Sequence, residues 1–307
     1  MVVLPSAASA PRRLRVAYVI QNLNYGGMER MVHALARDLP SHNVEVHLVV
    51  LEYFGQFADG LGETGTLHQV PPMSRLSLVL PRALAGVLAG IGPDVVHSHA
   101  GVWLKTALAS RLGGRFAMIH TEHGRPDPVP FSDRIIDNIA SRLTDVIISV
   151  SEPLADVLRR QVVHAPAHVR VIPNGVDTVQ HCPPADVRAL RLDLGLPLDR
   201  PVIGLIGRLE PVKHVSMALH AFARLQSLRN SEEPATLAIV GDGTERGRLE
   251  ALATQLGIAS HVSFFGWRQD ADRLYGAFDL FSLTSRSEGT SVSLLEAMST
   301  GGCPVVT

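Results

Sequence analysis

The chain alternates short runs of β-branched and other apolar residues with longer stretches in which apolar residues recur every three or four positions. This alternation is typical of βαβ units that build a parallel sheet. The first half predicts strands at Leu14–Ile20, Val44–Leu51, Asp94–His97, Phe116–Thr121, Asp145–Val150 and Val169–Ile172. Helices are expected between them, including Gly27–Leu39 and Trp103–Arg111. Residues 14–177 are therefore predicted to form one doubly wound α/β domain, after a loose tail over residues 1–13.

A proline-rich stretch without a long apolar period predicts a linker over residues 178–200, with room for one short helix. A second α/β series follows over residues 201–307. Its predicted strands are Val202–Ile206, Thr236–Val240, His261–Phe265, Leu280–Leu283 and Pro304–Thr307, with helices at Val215–Leu225, Glu245–Leu256 and Ser291–Ser299. Because the last segment has the pattern of an inner, buried strand, we expect a C-terminally truncated second domain.

Composition narrows the classes of function. The 307 residues are 46% hydrophobic and 19% charged, which suits two globular domains, and the net charge of −1 argues against nucleic-acid binding. Two distant cysteines, Cys182 and Cys303, predict a reducing, cytoplasmic environment. No run is long and apolar enough for a membrane span, and the N-terminus does not fit a signal peptide. Several arginines near apolar residues predict either peripheral contact with an anionic membrane surface or an ordinary solvated surface. These arginines are Arg12, Arg13, Arg15, Arg75 and Arg82.

Glycines follow the first predicted strand of each domain. Gly26 and Gly27 open a helix, where free backbone N–H groups and the helix dipole suit a phosphate, although a tight turn without a ligand fits the pattern equally well. Gly207 precedes Arg208 and Lys213, two cations placed to hold a diphosphate or to remain solvated. A further strand ends at Gly241-Asp242-Gly243, which is a weaker signal for close ligand approach.

Two carboxylates follow the strand near residue 283. Glu288 lies in a loop with Gly289 and Thr290, and Glu296 lies two turns into the next helix. Carboxylates accept strong hydrogen bonds from hydroxyl groups, so this pair suits a hydroxyl-rich ligand. An acidic helix start with a surface glutamate is the alternative. Because Glu296 stands among apolar residues, we expect it to have a polar partner.

Histidines cluster at the ends of two predicted strands. His97 and His99 share a strand face, so a metal pair is a possible interpretation, but neither a cysteine nor an HExxH helix accompanies them. No metal site is therefore predicted. His123 follows a strand and precedes Gly124, and it is interpreted either as a loop histidine that faces a cleft or as a structural histidine.

Taken together, these motifs resemble glycosyltransferase family 4, from about residue 14 to the end of the chain. The matching motifs are Gly26-Gly27-x-Glu29-Arg30, Asp94-Val95-Val96-His97-x-His99, Thr121-Glu122-His123-Gly124, Ile172-Pro173-Asn174-Gly175-Val176-Asp177, Gly207-Arg208-Leu209-x-x-x-Lys213, Gly241-Asp242-Gly243 and Glu288-x7-Glu296. The resemblance implies a GT-B fold with two Rossmann-like doubly wound domains that face each other across a cleft, the second incomplete. It also implies retaining transfer from a nucleotide-diphosphate sugar to a glycan or lipid-linked acceptor, as in cell-surface polysaccharide synthesis.

The resemblance also implies roles for individual residues. Arg208 and Lys213 would neutralise the donor diphosphate, and Glu296 would bind the ribose hydroxyls. Glu288 and the amides near Gly289 and Thr290 would hold the donor sugar, which His123 would contact near its reacting carbon. Gly27 would approach the diphosphate, and the donor-binding set further includes Gly26, Gly207 and Gly243. The family requires no metal or cofactor, and its departing phosphate oxygen takes the acceptor proton.

The chain departs from the family pattern in two respects. His214 stands where glycine usually follows the lysine, and the family's closing region, with a helix that crosses back to the first domain, has no counterpart. Two other interpretations remain open. A sugar-nucleotide epimerase would share the architecture but would not explain the Glu288 and Glu296 pair, and an incomplete fragment would bind a nucleotide sugar without transferring it.

Overall fold

The computed structural model describes residues 12–24, 26–55, 58, 61–63, 65–72, 79–165, 168–178, 184–228 and 234–307. The chain divides into two compact units between Pro173 and Asn174. This division lies four residues before the predicted end of the first domain at residue 177. The predicted tail lies outside the described residues except for its last two, and Arg75 and Cys182 also lie outside them.

The first unit contains a parallel sheet with the order β3-β2-β1-β4-β5-β6-β7. Its strands are β1 (Leu14–Ile20), β2 (Val44–Val50), β3 (Thr66–Gln69), β4 (Val95–His99), β5 (Ala117–Glu122), β6 (Val146–Ser149) and β7 (Val169–Val171). Strand β1 is buried over its last five residues. A parallel strand covered on both faces requires such a continuous apolar run.

Helices cover both faces of this sheet and complete two apolar clusters. They are α1 (Gly27–Asp38), α2 (Arg82–Ile91), α3 (Trp103–Gly113), α4 (Phe131–Arg142) and α5 (Glu152–Gln161). Along β1, Val19 belongs to the cluster that includes Leu88 and Trp103, whereas Tyr18 belongs to the cluster that includes Val32. The alternation follows from the two-residue repeat of a strand.

The second unit has its own parallel sheet with the order β10-β9-β8-β11-β12. Its strands are β8 (Val202–Ile206), β9 (Thr236–Val240), β10 (Val262–Gly266), β11 (Leu280–Leu283) and β12 (Cys303–Val306). The helices are α6 (Pro184–Asp193), α7 (Val215–Leu228), α8 (Arg246–Gln255), α9 (Ala271–Leu274) and α10 (Val292–Ser299). The predicted α/β fold class is confirmed in both units.

At the linker and at β3, the structure adds to the sequence-based expectations. The predicted linker contains α6, whose Arg191 guanidinium donates to Asp279 at 2.7 Å and to the carbonyl of Ala277 at 2.8 Å, so this helix packs on the second unit. Strand β3 was not predicted. Strand β12 pairs with β11 in the described sheet, and its Val305 and Val306 are more than half exposed.

Candidate functional site

In the second unit, three loops meet at the carboxyl edge of the sheet, after β8, β9 and β11. Gly241 has a φ of 134°, and a Cβ atom there would lie 1.9 Å from the carbonyl oxygen of Gly207. A Cβ atom at Gly243 would lie 2.5 Å from the carbonyl oxygen of Leu209. Both glycines thus allow the loop after β9 to pack on the loop after β8. This contact supplies a structural reason for the Gly241 and Gly243 motif.

The loop after β8 carries the two predicted cations. Arg208 is exposed, whereas Lys213 is half-buried and its Nζ atom lies 2.5 Å from Oε1 of Glu288. Backbone bonding also joins these loops, because the N–H of Arg286 donates to the carbonyl of Val212 at 2.8 Å. The structure therefore brings Lys213 and Glu288 into contact, although 74 residues separate them in the sequence.

Glu296 lies on α10, which begins after Ser291, whose hydroxyl accepts a hydrogen bond from the N–H of Leu294. The Glu296 carboxylate is buried, and the Tyr275 hydroxyl donates to its Oε2 atom at 2.8 Å. Tyr275 is the polar partner that the sequence pattern required but could not identify. Its hydroxyl fixes the orientation of a carboxylate that burial would otherwise disfavour.

The turn before α10 contains the other predicted donor-binding groups. The carbonyl of Thr290, which follows Gly289, accepts a hydrogen bond from the side-chain amide of Asn174 at 3.1 Å. The Oγ atom of Ser285 is buried and has no hydrogen-bond partner in the described residues. Sequence analysis did not single out Ser285, because a lone serine in a loop carries no signal.

In the first unit, the predicted glycines precede α1 directly. Gly27 is the first residue of the helix, and Gly26 is its N-cap residue in an extended conformation. A Cβ atom at Gly26 would lie 2.1 Å from Oε2 of Glu29, so the glycine leaves room for this carboxylate. Gly26 and Gly27 thus open the helix as predicted. The position of the Glu29 carboxylate supplies a local structural reason for a glycine at residue 26.

A column of aromatic rings lies at the carboxyl ends of β1, β4 and β5. The ring centroids of His97 and His99 are 4.3 Å apart in a stacked arrangement, and Tyr18 lies beside both. Nδ1 of His99 lies 2.9 Å from Nε2 of His123, which directly follows β5. Nε2 of His97 lies 2.7 Å from the Thr121 hydroxyl. The histidines of two predicted motifs therefore form one hydrogen-bonded and stacked group.

Burial sets the protonation of this column. Desolvation lowers the pKa of His97 to about 3 and that of His123 to about 4, and it places the pKa of His99 well below its ordinary value. Burial also raises the pKa of Tyr18 to about 12. All four rings are therefore neutral at pH 7.

A second buried network adjoins the column. Burial alone would raise the pKa of Glu122, but a hydrogen bond to His120 and the charge of Arg125 together lower it to about 2. Arg125 also forms an ion pair with Asp137. His120 stacks on Trp103 with centroids 4.0 Å apart and lies 2.9 Å from the hydroxyl of Ser98. Since Ser98 and His120 are fully buried, this Ser-His-Glu group is structural rather than a hydrolytic triad.

Across the described ranges, no group of three or more His, Cys, Asp or Glu side chains is arranged to hold a metal ion. In that part of the chain, none of the helices has the length and apolar character needed to cross a membrane.

Comparisons with known proteins relate both units to one class of enzyme. The family model Glycosyltransferase Family 4 matches residues 25–180, and Glycosyl transferases group 1 matches residues 186–307. The UDP-Gal:alpha-D-GlcNAc-diphosphoundecaprenol alpha-1,3-galactosyltransferase of Escherichia coli is 26% identical, over 95% of this chain and 79% of that protein. The D-inositol 3-phosphate glycosyltransferase of Stackebrandtia nassauensis is 30% identical, over 92% of this chain and 71% of that protein.

A solved structure extends the similarity to the fold. HepE of Anabaena in complex with UDP-glucose matches with a TM-score of 0.81 at 22% identity, over 96% of this chain and 80% of that one. The two parallel α/β units agree with the GT-B architecture of such neighbours. The chain is therefore a glycosyltransferase with a GT-B fold, and it belongs to glycosyltransferase family 4.

Proposed function

We propose that this protein transfers a hexose from a nucleotide-diphosphate sugar to a glycan or lipid-linked acceptor, with retention of the anomeric configuration. The observation that carries the proposal is the contact of Lys213 with Glu288 at the carboxyl edge of the second sheet, with Arg208 on the same loop as Lys213. In open α/β sheets, ligands bind beyond the carboxyl ends of the strands. The relatives named as transferases to a lipid diphosphate or an inositol phosphate support a hydroxyl-bearing acceptor.

The second unit would bind and activate the donor. Negative charge grows on the diphosphate as the glycosidic C–O bond breaks, and Arg208 and Lys213 would stabilise it as fixed cations. Glu296, oriented by Tyr275, would accept hydrogen bonds from the ribose hydroxyls. Glu288 and the amides of Gly289 and Thr290 would hold the sugar, with Gly207 and Gly243 allowing the backbone to approach the donor.

The first unit would supply the remaining groups. His123 would contact the donor sugar near its reacting carbon, and Gly26 and Gly27 would present helix N–H groups to the diphosphate. The departing phosphate oxygen would take the proton of the acceptor hydroxyl as the new C–O bond forms. No group of the protein then needs to act as a nucleophile.

Metal independence and membrane contact belong to the same proposal. Two cations at the diphosphate perform the charge neutralisation for which other transferases use a divalent ion.

Contact with an anionic membrane surface through the N-terminal arginines has weaker support, because Arg15 pairs with Glu45 at 3.1 Å and Arg12 pairs with Asp94.

Product analysis tests the proposal. The chain is incubated with a panel of nucleotide-diphosphate hexoses, with and without lipid-linked or glycan acceptors, and the products are followed by NMR. We expect acceptor-dependent release of nucleoside diphosphate and a glycoside with the anomeric configuration of the donor. An altered sugar nucleotide without acceptor would indicate an epimerase, and an inverted product would exclude retention.

A further inference from the structure

Helix α4 of the first unit exposes a stripe of large apolar side chains. Phe131, Ile135 and Ile139 recur at every fourth residue, so they share one face of the helix and span about 12 Å along its axis. Phe131 is 75% exposed, and the two isoleucines are each nearly half exposed. The opposite face of α4 is buried, and Ala140 on that face belongs to an apolar cluster of this unit. The described residues therefore cover one face of α4 and leave the stripe uncovered.

The neighbouring helix adds to the exposed apolar surface. Helix α3 packs against α4, and Leu112 near the end of α3 is 54% exposed. The guanidinium of Arg111 donates to the carbonyl of Leu143 at 3.2 Å, which brings the end of α3 next to the end of α4. Large apolar side chains that are exposed together mark an interaction surface, whereas single ones are ordinary.

Arginines accompany the stripe. Arg134 and Arg142 are exposed on α4. Their Nε atoms donate to the carbonyl of Gln161 at 3.1 Å and to Oδ1 of Asn138 at 3.2 Å, and neither guanidinium forms an ion pair with a carboxylate of the described residues. By helical geometry, Arg142 continues the stripe at its C-terminal end and Arg134 borders it. Each guanidinium has five N–H donors, so both retain donors for a further acceptor.

The acidic residues of α4 lie away from the stripe. Asp137 is buried and forms an ion pair with Arg125. Asp133 precedes Ile135 by two residues, which places it about 160° from Ile135 around the helix axis. The exposed charge beside the stripe on α4 is therefore positive.

This charge distinguishes between possible partners. A second copy that docked through the same surface would form an isologous contact, in which the arginines of one copy face those of the other. Like charges in such a contact oppose association. An anionic lipid bilayer instead offers phosphate groups to the arginines and a region between headgroups and acyl chains to the apolar stripe.

We propose that α4 docks this protein on the surface of an anionic phospholipid bilayer. The stripe of Phe131, Ile135 and Ile139 inserts among the lipid headgroups. Arg134 and Arg142 bind the lipid phosphates. This surface differs from the N-terminal arginines, whose charges are neutralised by ion pairs. The inference goes beyond the proposed function and does not depend on it, because none of the proposed donor-binding residues lies on α4.

Sedimentation with lipid vesicles tests the docking. The full chain is mixed with vesicles of phosphatidylglycerol and phosphatidylcholine in equal parts, or of phosphatidylcholine alone, and the vesicles are pelleted. We expect the anionic vesicles to bind the chain at least about 10-fold more tightly than the neutral ones, and added NaCl to weaken that binding. No binding to the anionic vesicles, or equal binding to both kinds, would overturn the proposal.

Two sets of substitutions locate the docking surface. Phe131→Gln/Ile135→Gln/Ile139→Gln should lower the partition coefficient on anionic vesicles by about 10-fold or more, because it removes the apolar side chains that insert. Arg134→Gln/Arg142→Gln should lower it by about 10- to 30-fold and reduce its dependence on NaCl. Glutamine is a good helix former, and circular dichroism checks that each variant is folded.

Matched controls lie on α7 of the second unit. Met217→Gln/Leu228→Gln replaces two exposed apolar side chains, and Arg224→Gln removes an exposed charge. We expect both control variants to bind anionic vesicles like the unsubstituted chain. Unchanged binding in both α4 variants, or an equal loss in the control variants, would overturn the assignment to α4.

Sedimentation equilibrium without lipid tests the other occupant. A dimer that dissociates when the stripe is replaced by glutamine would assign this surface to a second copy of the chain and overturn the membrane proposal. Neither measurement requires a donor or an acceptor, so both decide the docking even if the chain transfers no sugar. A chain that transfers sugar but does not bind vesicles would refute the docking alone.

Discussion

At the residue scale, the proposed donor site depends on Lys213 having hydrogen-bonding capacity beyond its ion pair. An ammonium group has three N–H donors, and the contact with Glu288 at 2.5 Å occupies one of them. A diphosphate oxygen can therefore approach the same nitrogen while Glu288 holds it in position. Arg208 is exposed on the same loop and offers a planar fork of donors.

Removal of either cation tests this arrangement. We expect Arg208→Ala and Lys213→Ala each to lower kcat by about 10²-fold, because each removes a charge that stabilises the leaving diphosphate. Steady-state kinetics with the best donor measures the effect. Arg224→Ala, an exposed arginine on α7, is the control and should retain full activity. Near-normal rates in both site variants would show that the donor site lies elsewhere.

The buried histidines also predict how stability depends on pH. The pKa of His97 is about 3 in the folded chain, below its ordinary value of 6.5, so between these values only the unfolded chain binds the proton. The contribution of the neutral His97 ring to the free energy of unfolding is complete above pH 6.5. It decreases as the pH falls towards 3. At pH 5 the loss from this residue is about 2 kcal/mol relative to pH 7.

Urea unfolding at pH 5 and pH 7 measures this loss. His97→Gln cannot titrate and should show a smaller decrease between the two pH values. The exposed His220 provides the comparison, since His220→Gln should behave like the unsubstituted chain. An unchanged decrease in His97→Gln would contradict the assignment of this pH dependence to the buried ring.

Sequence patterns identified the residues of the candidate site more readily than the side chains that these residues contact. The apolar surroundings of Glu296 predicted a polar partner, but Tyr275 lies 21 residues away on another element, and no local spacing encodes that contact. His99 was singled out on a strand face and His123 as a histidine that follows a strand. Their bond follows from the pairing of β4 with β5, which brings together residues 24 positions apart.

At the element scale, the site is built from loops that follow strands rather than from the strands themselves. Predicted strands β8 and β9 were correct to the residue, because buried parallel strands are continuous apolar runs, and the bounds of β11 were also correct. Strand β3 was missed, since Thr66–Gln69 is short, half-polar and only partly buried.

The packing of the loops after β8 and β9 can be tested through Gly241. Gly241→Ala should destabilise the second unit by about 2 kcal/mol, because its φ is positive and the added Cβ would meet the Gly207 carbonyl. Gly247→Ala, in open space on α8, should stabilise it by about 0.5 kcal/mol. Urea unfolding followed by Trp267 fluorescence, with Trp103 replaced by Phe in both variants, reports on this unit. Equal stability of the two variants would contradict the close approach.

At the scale of the whole molecule, the chain consists of two parallel α/β units, each with its own sheet and apolar clusters. The alternating pattern predicted this architecture because each unit repeats the same local rule of strand, loop and helix. The division between Pro173 and Asn174 was less predictable, since α6 has the composition of a linker but packs through Arg191.

Metal independence is also a prediction for the whole molecule. Because the proposed site neutralises the diphosphate with Arg208 and Lys213, EDTA should leave the transfer rate unchanged. The assay compares EDTA-treated protein with protein supplied with Mg²⁺ or Mn²⁺. Activity that is lost in EDTA and restored by either ion would contradict the proposed charge neutralisation.

The central claim is that the second unit binds a nucleoside diphosphate through Arg208 and Lys213. Calorimetric titration of the full chain in EDTA with a panel of nucleoside diphosphates tests it most directly. We expect one of them to bind at a single site, with the affinity abolished in the double variant Arg208→Ala/Lys213→Ala and retained in Arg224→Ala. Binding of none of them, or equal binding by the double variant, would contradict the account.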